Sequence, residues 1–495
     1  MASVEVSGSG GRFGRARRWV GLGLGPMVSL ALWFALGDLP DPARRLAAVV
    51  GLVMVYWITE ALPLAATALL CPALAVGLGI ASPREALAPF SDPVIFLLLG
   101  SFLLSEALRV HGLDRRMALW ILTLPWAAAS AMRTRLALGL ATALVSMCVN
   151  NAATAAMMLP VALGLVRALG AAGSRESPRG TLLVVGIAAS VGGIATPVGA
   201  ASNLIALGFM ERVAGQPISF LLFMAIGVPL SLALMGVAFL VVAVLLPGRG
   251  ARQDPAVYVA VARERSVQPD WTAGLTACAV AFGLAVAGWF LVSGARWLPW
   301  GSVSVGEHIG LRLDEGVVAL LAAALLFAWP LGGDRRALSW ENAGRIDWGT
   351  LLLFGGSLAM GRLMFETGLA SALGRSAVSV TGVHSLWGLT AFALGAALVL
   401  SEVASNAGTV GMMAPLVLAA AKELGLPAAP PLLAVCFGAS AGFMFPMGAP
   451  QSAMVYGTGL VPLTTMMRVG LVVDFLSFFV ILGALRLLCP ILGLA

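Results

Sequence analysis

Asn150-Asn151-Ala152-Ala153-Thr154-Ala155-Ala156-Met157-Met158-Leu159-Pro160 is answered, without a gap, by Ser405-Asn406-Ala407-Gly408-Thr409-Val410-Gly411-Met412-Met413-Ala414-Pro415. From position 151 to position 406 the offset is 255 residues, and it superposes the Asn, the following Ala, the Thr, both Met and the Pro. Each stretch sets amides and hydroxyls inside strongly apolar sequence. The chain therefore carries two polar centres at matching places of two halves, which points to a membrane transporter with internal repeats and a central site.

Composition supports that reading. Of 495 residues 60% are hydrophobic and 11% charged, with a mean hydropathy of +0.97, whereas a soluble domain carries about 25% charge. Apolar stretches of roughly 20 residues recur throughout, and the alternating pattern of a membrane β-barrel is missing, so the expected class is an all-α polytopic membrane protein. The net charge of +7 comes from arginines in short connections. These read as topology signals and not as a nucleic-acid footprint. Cys71, Cys148, Cys278, Cys436 and Cys489 are scattered in apolar sequence, without the spacing of a disulfide framework or a metal site.

Arg12, Arg15, Arg17 and Arg18 precede an apolar run from Trp19 to Leu36. This reads as an uncleaved first helix behind a cytoplasmic tail, residues 1–18, with the N-terminus in the cytoplasm. Leu46 to Ile80 is apolar apart from Glu60. At 1.5 Å per residue it would reach about 52 Å, too far for one crossing of a roughly 30 Å core. Two helices are expected, parted near Glu60-Ala61-Leu62-Pro63.

Three short apolar segments, Met117–Ala128, Leu136–Asn150 and Ala152–Leu165, then meet around the first polar centre, as a re-entrant hairpin near 136–165 would. The segment 182–210 is interrupted by Gly192-Gly193-Ile194-Ala195-Thr196-Pro197-Val198-Gly199, where Pro and Gly predict an unwound, broken helix. Residues 19–247 make the first helix and first repeat, 248–271 a polar cytoplasmic linker, and 272–495 the second repeat, with a hairpin near 390–424 and a broken helix at 431–460. One further block keeps this register, and a second follows at a slightly shorter offset of 249 residues. Asp92-Pro93-Val94-Ile95-Phe96-Leu97-Leu98-Leu99-Gly100 faces Asp347-Trp348-Gly349-Thr350-Leu351-Leu352-Leu353-Phe354-Gly355, again 255 residues apart, and Pro197 faces Pro446 within Met444–Pro450. If each repeat holds an odd number of crossings, the copies insert in opposite senses and their polar centres converge near the midplane.

One candidate site combines Ser146, Asn150, Asn151 and Thr154 with Thr196, Gly199 and Asn203. The other combines Ser405, Asn406 and Thr409 with Gly442, Pro446, Gly448 and Ser452. Neutral amides and hydroxyls both donate and accept, and unwound carbonyls are hard oxygen ligands, so each can hold a small cation beside an anion. The alternative is that the same side chains only join helices, but duplication beside duplicated breaks favours a site. Glu60, Glu106, Arg362 and Glu402 interrupt apolar sequence. For Glu106 with Arg109, and Arg362 with Glu366, ion pairs at helix ends and proton relays both remain open. A catalytic dyad, a metal cluster and a Walker motif are all missing from the sequence, so an enzyme, lipid-directed or ATP-hydrolysing, is not expected.

In Thr59-Glu60-Ala61-Leu62-Pro63, Gly112–Ala118, Ala195–Gly199 with Asn203, Ile346–Thr350 and Thr367-Gly368-Leu369, taken in order, the chain resembles the divalent anion:sodium symporters, the dicarboxylate, citrate and sulfate carriers. The resemblance implies about eleven transmembrane helices plus two re-entrant hairpins, a homodimer, and a moving domain that carries the site across the inner (plasma) membrane. It implies no cofactor beyond sodium as the coupling ion.

That family's hairpin tips carry Ser-Asn-Thr; here they read Asn150-Asn151-Ala152 and Ser405-Asn406-Ala407, so both asparagines are present and both threonines are alanine. The candidate substrate contacts are Asn150, Asn151, Thr154, Ser405, Asn406 and Thr409, and of these the resemblance singles out Asn151 and Asn406. It places sodium at Ser146, Asn150, Asn151 and Gly199, and again near Glu402, Asn406 and Gly448. The expected activity is import of a small di- or multivalent anion with sodium. A sodium-independent anion exchanger or an oxyanion exporter is the alternative.

Overall fold

The computed structural model describes residues 12–127, 130–171, 177–247, 265, 268, 270–295 and 314–495. Tail residues 1–11 and nearly all of the expected linker 248–271 lie outside the described residues. Among the described residues the chain is helical, with an isolated β-bridge between Pro330 and Arg336 and no strand. Seven of these helices are long and apolar enough to cross a bilayer, and six shorter apolar ones accompany them. The protein is an all-α polytopic membrane protein.

Helix α1 (Arg12–Ala35) begins ahead of Trp19, so its first turns carry the tail's arginines. The long apolar run that follows forms α2 (Asp41–Thr59) and α3 (Leu64–Gly77). The cut falls at Glu60, which takes the left-handed conformation with φ 49°. Pro63, lacking an N–H and restricting the residue before it, then starts α3.

The first half continues with α4 (Pro83–Leu87), a 3₁₀ turn (Ala88–Ser91), α5 (Pro93–His111), α6 (Leu113–Leu122), α7 (Ala131–Ser146), α8 (Asn151–Ala171), α9 (Pro178–Ile194), α10 (Ala201–Arg212) and α11 (Phe220–Leu245). The second half holds α12 (Ala273–Ala295), α13 (Glu315–Ala328), α14 (Trp340–Ala343), α15 (Trp348–Glu366), α16 (Leu369–Thr381), α17 (Leu386–Ser401), α18 (Asn406–Glu423), α19 (Ala429–Ala439), α20 (Pro450–Gly457) and α21 (Leu463–Ile491).

The order of elements from α5 onward recurs from α15 onward, and the same local chemistry begins and ends them. Asp92 caps α5 by accepting from Val94 N (2.9 Å), and Asp347 caps α15 by accepting from Thr350 N (3.1 Å). Both long helices end on a left-handed glycine, Gly112 (φ 71°) and Gly368 (φ 81°), which turns the chain into α6 and α16.

The halves interlock. Helix α3 packs on α15 and α13 packs on α5, so each half's long helix carries a shorter one from the other half. These crossings are close: a Cβ on Gly356 would lie 2.3 Å from the Ala68 carbonyl, and one on Gly100 would lie 2.6 Å from Ala319 Cβ. Of the charges inside apolar sequence, Arg109 donates to both oxygens of Glu106 (2.5 and 2.7 Å), and Arg362 donates to Glu366 (2.6 Å). Both are local pairs on one helix. Helix α7 packs on α9 and α17 on α19, so each helix–turn–helix pair, α7–α8 and α17–α18, lies against a helix that ends at a break.

Candidate functional site

In the first half, four residues, 147–150, join α7 to α8. Asn150 caps α8, its Oδ1 accepting from Ala152 N (2.8 Å) and Ala153 N (3.3 Å). Asn151, one residue on, is buried and turned the other way, toward the broken helix. The Ser146 hydroxyl donates to the Ala189 carbonyl at 2.6 Å, which uses its single proton. With its nitrogen inward, the Asn151 amide donates to Ser146 Oγ (2.8 Å), the Ala189 carbonyl (3.0 Å) and the Gly199 carbonyl (3.2 Å). With its oxygen inward it meets only acceptors, a cluster that a cation can satisfy.

The break between α9 and α10 is shaped to permit this. The Thr196 hydroxyl donates to the Met147 carbonyl (2.6 Å) and accepts from Gly199 N (3.1 Å), tying hairpin tip to break. Asn203 donates to the Gly193 and Thr196 carbonyls, 2.8 Å each, and so takes up carbonyls freed by unwinding. A Cβ on Gly193 would lie 2.2 Å from Asn151 Oδ1. Gly199 approaches backbone, with its Cβ position 2.7 Å from the Gly193 carbonyl and 2.9 Å from that of Ser146. Thr154 is fully buried behind the tip, its hydroxyl 3.4 Å from the Val149 carbonyl.

In the second half, residues 402–405 form the tip. Ser405, the counterpart of Asn150, caps α18 by accepting from Gly408 N (3.1 Å). Asn406 is half-buried, and Thr409 is fully buried with no hydrogen-bond partner for its hydroxyl among the described residues. Here the break is held by acids. Glu402 accepts from Met444 N (3.0 Å) and Phe445 N (2.8 Å), and Asp474 of α21 accepts from Phe443 N (3.0 Å). Gly448 closes the group, its Cβ position 2.5 Å from the Ser401 carbonyl and 3.3 Å from Glu402 Cα.

The structure thus brings Ser146, Asn151 and Gly199 into one cluster and Glu402 and Gly448 into another. It uses Asn150 and Ser405 as helix caps, and it leaves Asn406 outside the acid-bonded group. Direct hydrogen bonds join the halves: Gln451 Nε2 donates to Ser190 Oγ (2.6 Å), Cys436 Sγ donates to Asn203 Oδ1 (3.3 Å), and Ser202 and Ser440 share a bond of 3.1 Å.

Sequence reading missed Ser190, Ser440 and Asp474. Asp474 was findable, since it lies alone among apolar residues in the middle of α21. No signal in the sequence marked the Ala189 carbonyl. Among the described residues there is no His/Cys/Asp/Glu group able to hold a metal ion. The donor set at Asn151 is of neutral oxygens, which suits a hard monovalent cation.

A family model described as citrate transporter (CitMHS) matches residues 54–430 and 312–492. The chain is 29% identical to the sodium-dependent dicarboxylate transporter SdcS of Staphylococcus aureus strain bovine RF122 / ET3-1, over 96% of this chain and 92% of the relative. The same protein from strain NCTC 8325 / PS 47 matches equally. Among solved structures, the YdaH transporter of Alcanivorax borkumensis superposes with a TM-score of 0.56 at 17% identity, covering 92% of this chain and 98% of that one. That likeness concerns the fold alone. Proteins of this kind are transporters and not enzymes. With a family model spanning most of its length, and with two hairpin tips set against two broken helices, the chain belongs to the citrate transporter family.

Proposed function

We propose that this transporter imports a small di- or multivalent anion, a dicarboxylate or a sulfate-like oxyanion, with sodium as the coupling ion. The observation that carries the reading is the oxygen cluster of Ser146 Oγ, Asn151 Oδ1 and the Ala189 and Gly199 carbonyls. Sodium there would supply positive charge beside the anion. Asn151 and Asn406 hold the start of α8 and α18, where backbone N–H groups point toward an anion. Asn151 turns inward to the cation cluster, while half-buried Asn406 presents its amide to the anion. The sodium-dependent dicarboxylate transporters similar to this chain favour the dicarboxylate.

The two repeats lie in opposite senses in the inner membrane, with the N-terminus cytoplasmic. The hairpins and broken helices travel together across the bilayer as an elevator, within a homodimer. Direct bonds between the two breaks, through Gln451, Cys436 and Ser440, support that common motion.

The test is uptake of labelled succinate, citrate and sulfate into proteoliposomes, with sodium or choline outside. Uptake that requires sodium and is competed by unlabelled anion is expected. Equal rates in choline would replace this reading with sodium-independent exchange.

A further inference from the structure

Helix α1 is bolted to α2 at its elbow. A Cβ on Gly21 would lie 2.0 Å from Thr59 Oγ1, and one on Gly25 would lie 2.4 Å from Tyr56. This Gly-x-x-x-Gly spacing brings two apolar helices into backbone-close contact. Four residues before Gly21, Arg17 points into the elbow. Its Nη2 pairs with Glu60 Oε2 (2.7 Å) and its Nε donates to the Thr59 carbonyl (3.1 Å). Its Nη1 reaches the second hairpin tip and donates to the Val403 carbonyl (3.4 Å).

Glu60 is the one non-glycine residue with positive φ among the described residues. Such a conformation costs about 1–2 kcal/mol and persists where surrounding contacts hold it. Arg17 supplies such a contact, and one guanidinium then joins three elements: α1, the α2–α3 elbow and the tip that presents Ser405 and Asn406.

We propose that Arg17 is a positioning residue for the second half-site, clamping the hairpin tip at residues 402–405 to the elbow at Thr59-Glu60 in the conformation this structure holds, a contact that releases when the hairpins move. The anion site is then adjusted by a residue on the first helix, outside both repeats. This rests on the transport reading given above. The geometry separates Arg from Lys: one ammonium can keep the Glu60 ion pair but cannot also reach both carbonyls in the planar fork that Arg provides.

The test uses the full chain in proteoliposomes with succinate and sodium, comparing wild type with Arg17→Ala and Arg17→Lys. Arg17→Ala is expected to raise the half-saturating succinate concentration at least fivefold. Arg17→Lys is expected to restore the melting temperature while leaving that concentration raised. A purely structural role would restore both in Arg17→Lys and overturn the proposal. A second readout needs no transport. Val403→Cys, whose side chain is exposed, should react with a water-soluble maleimide at least threefold faster when Arg17 is Ala, with the protein lacking Val403→Cys as blank. An unchanged labelling rate overturns the clamp, whereas accelerated labelling in a protein whose wild type takes up no succinate would sink only the transport reading.

Discussion

Adding one methyl group at Gly193 separates the site from the fold. Its Cβ would lie 2.2 Å from Asn151 Oδ1, while an ordinary contact begins at 3.4 Å, so the Asn151 side chain must retreat by about 1.2 Å. Its distances to Ser146 Oγ, Ala189 O and Gly199 O, now 2.8, 3.0 and 3.2 Å, would then stretch to about 4 Å, beyond hydrogen-bond or ligand reach. At about 1 kcal/mol net for each of these interactions, the site weakens by about 1–3 kcal/mol. That corresponds to roughly 5- to 150-fold in sodium affinity. The helix itself gains, because Ala is preferred over Gly in a helix by up to about 1 kcal/mol.

Gly193→Ala should therefore raise the sodium concentration giving half-maximal uptake by at least fivefold, without lowering the melting temperature. Gly199→Ala is the contrast, since its Cβ would meet backbone that cannot swing away; it should lower the melting temperature and the yield. Sodium dependence in Gly193→Ala that matches wild type would refute the placement of the cation site at Asn151.

Other outcomes follow from the same geometry. Asn151→Ala and Asn406→Ala should each abolish uptake at normal expression, and full activity in both would remove the site from the hairpin tips. Ala152→Thr with Ala407→Thr restores the family's two hydroxyls and should lower the half-saturating succinate concentration several-fold; no change would mean that these positions do not face the anion. Asp474→Asn keeps an acceptor for Phe443 N and should melt near wild type. Asp474→Ala leaves that N–H unpaired, at a cost of about 1–3 kcal/mol, and equal melting of the two variants would count against the acid-held break. Gln451→Leu removes the bond to Ser190 and should slow maximal uptake more than it alters half-saturation, as uptake against succinate concentration will show.

Composition and patterning alone determined the class of protein, because a bilayer rewards long apolar runs and forces every polar interruption to have a reason. The repeated Asn-Ala-x-Thr stretch falls where α8 and α18 begin, after the turns that follow α7 and α17, since a polar stretch between short apolar segments favours a turn. The repeated Pro and Gly located both breaks through loss of N–H donors and relaxed φ/ψ. Only tertiary structure decided which of these polar groups act together. Asn150 and Asn151 are neighbours of the same type, yet one caps α8 and the other faces Ala189 and Gly199, a division set by the direction each side chain takes where the helix starts. The two half-sites also look alike in sequence but are held by opposite chemistry, an amide donating to carbonyls in the first and carboxyls accepting from N–H groups in the second. That difference depends on Asp474 and Glu402 arriving from distant helices, and pairings across such separations are settled by packing, which periodicity and spacing do not encode.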